Sequence, residues 1–292
     1  MTVVEMLAKR FPQLYVKPEK GASQSELYRS IVRKGYHYEG SLSHFTGSAD
    51  DRLTLEQTPA GEVTVVFLAD RADFECFYRI MACRCEPVEV PATMGGSCIS
   101  GINDWSKIHA HMEAYREGGG EDPSGEFARF TVVPSNYRET ILLLSEGPYS
   151  AVPAERTPYD SETWLRLSRE IRRYHELTHF VCRSLFPEKK NPIWDELLAG
   201  CMGLLFATGE YIVPMAQTFL GIENGAYTGG RLENYTDGLP DAETVRRVTA
   251  VMDRLSLCCG LERAGGKEGY ALLEALERRA EEICPELADL FA

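Results

Sequence analysis

The sequence predicts an α+β fold, with a small sheet and several helices in residues 1–158 and a mostly helical region in residues 159–292. Two patterns favour it: β-branched and apolar runs before Pro158 indicate strands, and apolar residues after it recur at helical spacing. A chain of 292 residues with 44% hydrophobic content can bury a substantial core, either as two lobes or as one compact domain.

The N-terminal region alternates predicted helices with predicted strands. Its expected helices are 2–12, 24–34, 71–84 and 103–117. Its expected strands are 62–69, 127–134 and 139–145. The glycine-rich residues 94–101 lack the lysine and the spacing of a phosphate-binding loop, so they are predicted to form a turn.

Beyond Pro158, helices are predicted at 161–186, 192–208, 211–221, 241–259 and 267–282. Pro187 ends the first of these, and residues 187–190 read as an exposed loop. Asn191 is expected to cap the second helix, with Pro192 in its first position. Because the connection is short, the first two helices should fold back antiparallel.

The first helix of this region carries the strongest chemical signal, His175-Glu176-Leu177-Thr178-His179. A separation of four residues places both imidazoles on one helix face, where they can reach one metal ion. Glu176 lies about 100° around the helix, where its carboxylate can take a proton from a metal-held water. The uncharged flanking residues favour a buried metal site over a surface helix with two solvated histidines.

The second helix supplies two acidic residues, Asp195 and Glu196, within an otherwise apolar run. Glu196 follows His179 by 17 positions, and antiparallel packing would bring it near the middle of the first helix. Small residues at 199, 200 and 203 would let the two helices approach closely.

The motif followed by Trp194-Asp195-Glu196-Leu197-Leu198-Ala199 resembles the gluzincin branch of zinc metallopeptidases, which includes thermolysin-like and aminopeptidase-like families. The resemblance covers only residues 160–210 or so, and it implies a zincin-like fold. It also implies that His175, His179 and Glu196 are zinc ligands and that Glu176 is the general base. In such folds an extended substrate lies along a sheet edge and crosses the metal between the lobes.

The sequence departs from the gluzincin pattern in two respects. The spacing to Glu196 is shorter than in thermolysin-like enzymes, and Gly200 stands where many such families place an acid that braces the first histidine. Asp195 is a candidate for that second-shell brace and also an alternative ligand, with Glu196 preferred. Without a third histidine at the metzincin spacing, a metzincin is excluded.

A second catalytic element is expected in the glycine-bearing loop 225–235. Its Tyr227, Arg231 and Tyr235 are candidate donors to the oxyanion of a tetrahedral intermediate. Glycines would allow the loop to close over a substrate. The alternative is a solvated connection with packed tyrosines.

Other polar groups carry weaker signals. His109 and His111 would point to different sides of their helix, so they are not expected to share a metal. The Arg172-Arg173 pair reads as ordinary solvated charge. Cys182 lies one turn beyond His179, where core packing is favoured over a place in the site.

Composition limits the partners and the compartment. A formal net charge of −13 argues against nucleic acid or an anionic membrane as partner. The N-terminal residues lack the pattern of a signal peptide, and no apolar run reaches 18 residues. Nine cysteines without zinc-ribbon spacing favour a reducing compartment, so a cytoplasmic location is expected.

Together these features predict a cytoplasmic Zn²⁺-dependent hydrolase, a metallopeptidase acting on a peptide or protein substrate. One alternative is a non-catalytic zincin-like protein whose cleft binds a partner or is occluded. Another is a metal-free helical interaction protein in which the motif is accidental. The oligomeric state is left open by the sequence.

Overall fold

The computed structural model describes residues 1–188, 191–236 and 238–285. The predicted exposed loop therefore lies partly outside the described residues, at Lys189 and Lys190. The chain divides into two compact units. One, the sheet unit, contains Met1–Glu56, Val63–Val90 and Ser97–Ser145; the other, the helical unit, contains Gln57–Glu62, Pro91–Gly96 and Glu146–Ala292. The predicted mixture of a small sheet with many helices is confirmed.

The sheet unit holds five helices and most of a four-stranded sheet. The helices are α1 (Val3–Ala8), α2 (Glu26–Tyr28, continued by a π-helical turn Arg29–Arg33), α3 (Arg71–Met81), α4 (Trp105–Glu117) and α5 (Pro123–Thr131). The strands are β1 (Arg52–Thr58), β2 (Gly61–Leu68), β3 (Gly96–Asn103) and β4 (Arg138–Ser145).

The sheet has the order β1-β2-β4-β3, with β2 and β4 parallel. Their register pairs Thr64 with Ile141 and Leu68 with Ser145. Both central strands are almost wholly buried over these residues, as expected for strands covered on two faces. β1 and β3 are the edges of this sheet, and neither was predicted as a strand.

Two predictions for this unit are wrong. Residues 127–134, predicted as a strand, belong mainly to α5, because the Asp122 carboxylate caps the Gly125 amide and Pro123 occupies the first helical position. Residues 94–101, predicted as a turn, contribute most of β3, whose backbone is paired beside the buried β4. In both places local capping or long-range pairing outweighed composition.

The helical unit contains α6 (Ser161–Leu185), α7 (Pro192–Thr208), α8 (Val213–Leu220), α9 (Ala242–Ala264), α10 (Gly269–Arg278) and α11 (Ala280–Ile283). A two-stranded sheet of β5 (Ile222–Glu223) and β6 (Ala226–Tyr227) interrupts it. One apolar core joins these helices through residues such as Trp164, Leu198 and Leu255. Among the described residues, no helix is long and apolar enough to cross a bilayer.

The packing of α6 against α7 sets the position of the site. A Cβ on Gly203 would lie 2.7 Å from the Ile171 carbonyl oxygen, so only glycine permits this approach. Glu196, seven residues earlier on α7, contacts His175 and His179, which lie later on α6. A later position on α7, Gly203, contacts an earlier position on α6, Ile171, and the earlier Glu196 contacts the later histidines. The two helices are therefore antiparallel.

Candidate metal centre

The two helices of the centre begin and end where their capping residues dictate. The Asp160 carboxylate caps α6 through the Thr163 amide. The Asn191 side chain accepts the Ile193 and Trp194 amide hydrogens at the start of α7. Pro192 is the first residue of α7, so Asp195 and Glu196 are its fourth and fifth residues. The start of α7 at this cap therefore places both acids in the first two turns of the helix.

His175, His179 and Glu196 converge at a buried point. Their exposed fractions are 3%, 6% and 7%. The two Nε2 atoms are 3.0 Å apart, His175 Nε2 is 3.2 Å from Glu196 Oε1, and His179 Nε2 is 3.6 Å from Glu196 Oε2. A tetrahedral ion with bonds of 2.0–2.1 Å needs ligand atoms about 3.3 Å apart. The three side chains could therefore bind one metal ion.

Unsatisfied atoms also indicate a cation. Glu196 Oε1 is buried without an aligned hydrogen bond from any described residue. It lies near His175 Nε2 and is 3.1 Å from Arg231 Nη1, but neither contact has hydrogen-bond geometry. A buried carboxylate oxygen without a hydrogen bond raises the free energy of the folded state, and a bound cation would supply the missing interaction.

The charges within the cluster are strongly coupled. Burial disfavours the imidazolium form of His179, but the nearby carboxylates of Asp195 and Glu196 raise its pKa to about 10. Burial likewise opposes ionisation of Glu196, yet the His175 ring and the Arg231 guanidinium hold its pKa well below the usual range. In the metal-free protein, protons and Arg231 supply the positive charge that Glu196 requires.

Each imidazole has a polar group behind it. The Tyr149 hydroxyl is 2.9 Å from His175 Nδ1, and Asp195 Oδ2 is 3.0 Å from His179 Nδ1. The second contact is off the hydrogen-bond direction, so it acts mainly as a charge pair. Arg183 holds Asp195 from outside at 3.2 Å. Such outer partners fix the tautomer and orientation of a ligating histidine.

These positions change two expectations for the outer partners. Asp195 lies against the second histidine, His179. It therefore does not replace the acid that gluzincins place at the Gly200 position, because that acid supports the first histidine. Tyr149 serves the first histidine, and no sequence pattern pointed to a tyrosine 26 residues upstream. Burial raises the pKa of Tyr149 to about 12, so its hydroxyl keeps its proton at neutral pH.

Glu176 is buried on α6, with an exposed fraction of 6%. A Cβ on Gly96 would lie 2.6 Å from Glu176 Oε1, so the glycine backbone forms one wall around the carboxylate. One turn earlier, Arg172 is 3% exposed and donates to the carbonyl oxygens of Gly147 and Pro148. The prediction of a solvated Arg172 is wrong, because those carbonyls and Gly95 enclose its guanidinium.

The loop after α8 brings two of its three candidate residues to Glu196. Arg231 lies 3.1 Å from Glu196 Oε1 and donates to the Tyr149 hydroxyl at 3.1 Å. Tyr235 lies beside Glu196, and burial together with the charge of that carboxylate raises the pKa of its hydroxyl. Tyr227 instead bonds within its own loop, through the backbone of Gly230 and the carboxylate of Glu233.

Comparison with known proteins places the chain in a family. A family model described as "Family of unknown function (DUF7005)" matches residues 1–255. The chain belongs to this family. The matched residues include the His175 motif, Glu196 and the loop that carries Arg231 and Tyr235. No curated protein and no solved structure matches the chain.

The remaining candidate residues lie in other surroundings. His109 Nε2 contacts the Gly35 carbonyl oxygen, and His111 Nε2 lies 2.6 Å from Glu126. Cys182 packs in the apolar core of the helical unit, where burial raises the pKa of its thiol. Among the described residues, one group of three potential metal ligands converges, and it consists of His175, His179 and Glu196.

Proposed function

We propose that this protein is a zinc-dependent hydrolase of the gluzincin type, with a zincin-like arrangement of α6 and α7, and that it cleaves peptide bonds. The observation that carries the proposal is the buried convergence of His175, His179 and Glu196 at the separations of a tetrahedral site. Two imidazoles and one carboxylate are a zinc ligand set that leaves a fourth position open.

Glu176 is the residue we assign as general base. When bound, zinc would polarise the substrate carbonyl and make a water acidic enough to lose its proton near neutral pH. The Glu176 carboxylate takes that proton and returns it to the leaving amine. Its position between the two histidines in sequence keeps it off the ligand row of α6, and its burial shields the proton transfer from bulk water.

Tyr235 is the group we assign to the negative charge that develops on the substrate oxygen. Burial and the neighbouring Glu196 raise the pKa of Tyr235, so its hydroxyl remains a donor. Arg231 adds positive charge at the same place. Tyr227 braces the loop, since its hydroxyl is engaged with Gly230 and Glu233.

The alternative is a non-catalytic protein with an occluded site. Its support is the pairing of Arg231 with Glu196, beside three candidate ligands that are all at most 7% exposed. An enzyme with this arrangement must move the 225–235 loop to admit a substrate, whereas a non-catalytic protein would keep it closed. Gly225 and Gly229, both at positive φ, give the loop backbone freedom for such movement.

Glu176→Gln tests the proposal, because the amide keeps the shape of glutamate but cannot accept the proton. We expect zinc content to stay at the wild-type level and turnover of a broad peptide library to fall by about 10²–10⁴-fold. Elemental analysis and peptide cleavage measure the two quantities. Glu170→Gln, on the same helix and paired with Arg173, is the matched control and should keep both.

The outcomes separate the competing functions. Full peptide cleavage by Glu176→Gln would remove Glu176 from the mechanism. A wild-type protein that holds zinc but cleaves no peptide in the library would favour the occluded alternative. A purified protein without bound metal, and unable to take up zinc, would contradict the metal site itself.

A further inference from the structure

Two arginines with little exposure to solvent lie beside the candidate metal centre, Arg172 at 3% and the Arg231 side chain at 13%. The Arg231 guanidinium lies over the Tyr149 ring at 5.0 Å and donates to its hydroxyl. The Arg172 guanidinium donates to the carbonyls of Gly147 and Pro148, the two residues that precede the tyrosine. Arginine is seldom this deeply buried unless its charge is compensated.

The bound metal would leave the cluster with excess positive charge. Arg172 and Arg231 offset Glu176 and Glu196, and Asp195 is paired with Arg183. A divalent ion bound by neutral imidazoles would bring two positive charges that no described acidic side chain of the cluster offsets. Because uncompensated buried charge is costly, the loaded site favours a ligand that brings negative charge with it.

Arg231 is the group best placed to receive that charge. Its Nη1 atom is 3.1 Å from a ligand oxygen, Glu196 Oε1, and its Nε is buried without an aligned acceptor among the described residues. A guanidinium binds a carboxylate through two parallel hydrogen bonds. One extended residue spans about 3.3–3.6 Å, so a carboxylate beside Arg231 belongs to the residue next to the bond at the metal.

We infer that the site takes peptides with a free C-terminal carboxylate, which Arg231 binds, and that it releases the last residue. This inference rests on the proposed function. In the reaction the water oxygen bonds to the penultimate carbonyl carbon, and the C–N bond breaks. The amine of the leaving amino acid receives the proton that Glu176 took from water, and the products are a shortened peptide and a free amino acid.

The test compares two probes that cannot be hydrolysed by this reaction, 3-phenylpropanoate and 3-phenylpropanamide, on the zinc-loaded protein. Calorimetry measures both affinities, and elemental analysis measures zinc in each sample. We expect the carboxylate to bind at least about tenfold more tightly than the amide, as for a desolvated bidentate ion pair. Arg231→Gln should abolish this preference while zinc content is retained.

Two further variants secure the interpretation. Arg231→Lys keeps the charge but not the two-pronged donor, and should lose most of the preference even if Arg231→Gln does not fold. Arg263→Gln, at an exposed arginine of α9, should leave the preference unchanged. A free amino acid released from unblocked peptides, and not from C-terminally amidated ones, is the matching product by mass spectrometry.

Failure of the inference differs from failure of the proposed function. A zinc-loaded protein that cleaves peptides but binds both probes equally overturns the carboxylate subsite and leaves the hydrolase standing. If Arg231→Lys prefers 3-phenylpropanoate over 3-phenylpropanamide as strongly as wild type does, the preference does not depend on the two parallel hydrogen bonds of a guanidinium. A protein that takes up no zinc overturns both.

Discussion

Helices α4 and α6 each carry two histidines, and the difference between the pairs shows how spacing creates a site. His109 and His111 are two residues apart, which places them on different sides of α4. His175 and His179 are four apart, which brings their Nε2 atoms to 3.0 Å. Helical geometry therefore decides which pair can share one ion.

The surroundings of the two pairs differ as much as their spacing. On α4, His111 stacks against Phe130 and contacts Glu126, and its side chain is 35% exposed. On α6, both rings are buried against carboxylates from α7. A partly exposed histidine with one acidic neighbour can exchange that partner for water, whereas a buried pair with three polar neighbours is held in one arrangement.

The largest effect should follow from breaking the α6 pair. His175→Ala removes one of three ligands, and we expect zinc after dialysis to fall below about one tenth of the wild-type content. His109→Ala, the matched change on α4, should leave zinc unchanged. Elemental analysis of both variants decides the comparison, and the reverse result would move the metal site to α4.

Much of the α6–α7 region could be predicted because its signals are local. Asn191, Pro192 and the apolar spacing give the bounds of α7 from sequence alone, and the four-residue separation gives the shared face of α6. Local signals also explain the two errors in the sheet unit. The apolar run 127–134 favours a strand, but the Asp122 cap starts a helix just before it, and β3 depends on pairing that composition does not record.

The parts of the site that sequence reasoning missed all depend on distant contacts. Tyr149 carries no local motif, and it reaches His175 only because the segment before α6 packs against that helix. Arg172 is buried because Gly95, Gly147 and Pro148 enclose it, and none of these is close to it in sequence. Such partners become visible only when the helices are assembled.

A moderate effect should follow from removing the acid behind the α6 pair. Asp195→Asn weakens the support of His179, and we expect zinc affinity to fall by about 10–100-fold, as for other outer partners of metal ligands. Glu126→Gln makes the same change behind His111 and should leave zinc affinity unchanged. Competition with a chelating dye measures both affinities. Equal affinities in wild type and Asp195→Asn would show that Asp195 does not support the site.

The smallest effect concerns the charge of His179 in the metal-free protein. Its folded pKa is raised from 6.5 to about 10, where burial opposes the charged form but the carboxylates of Asp195 and Glu196 outweigh it. Because the folded state holds this proton more tightly, the stabilisation is fully present below pH 6.5. It is lost as the pH rises from 6.5 towards 10.

Comparing the free energies of unfolding of wild type and His179→Gln isolates the contribution of the His179 proton. The free energy of unfolding of metal-free wild type, minus that of metal-free His179→Gln, should decrease between pH 7 and 9 by at most about 1.4 kcal/mol per pH unit. Asp195→Asn should flatten the decrease, because it removes one of the charges that hold the proton. A difference that stays constant over this range would mean that His179 is neutral in the folded protein. In that case Arg231 alone supplies the charge that Glu196 needs, and zinc could bind without displacing a proton from His179.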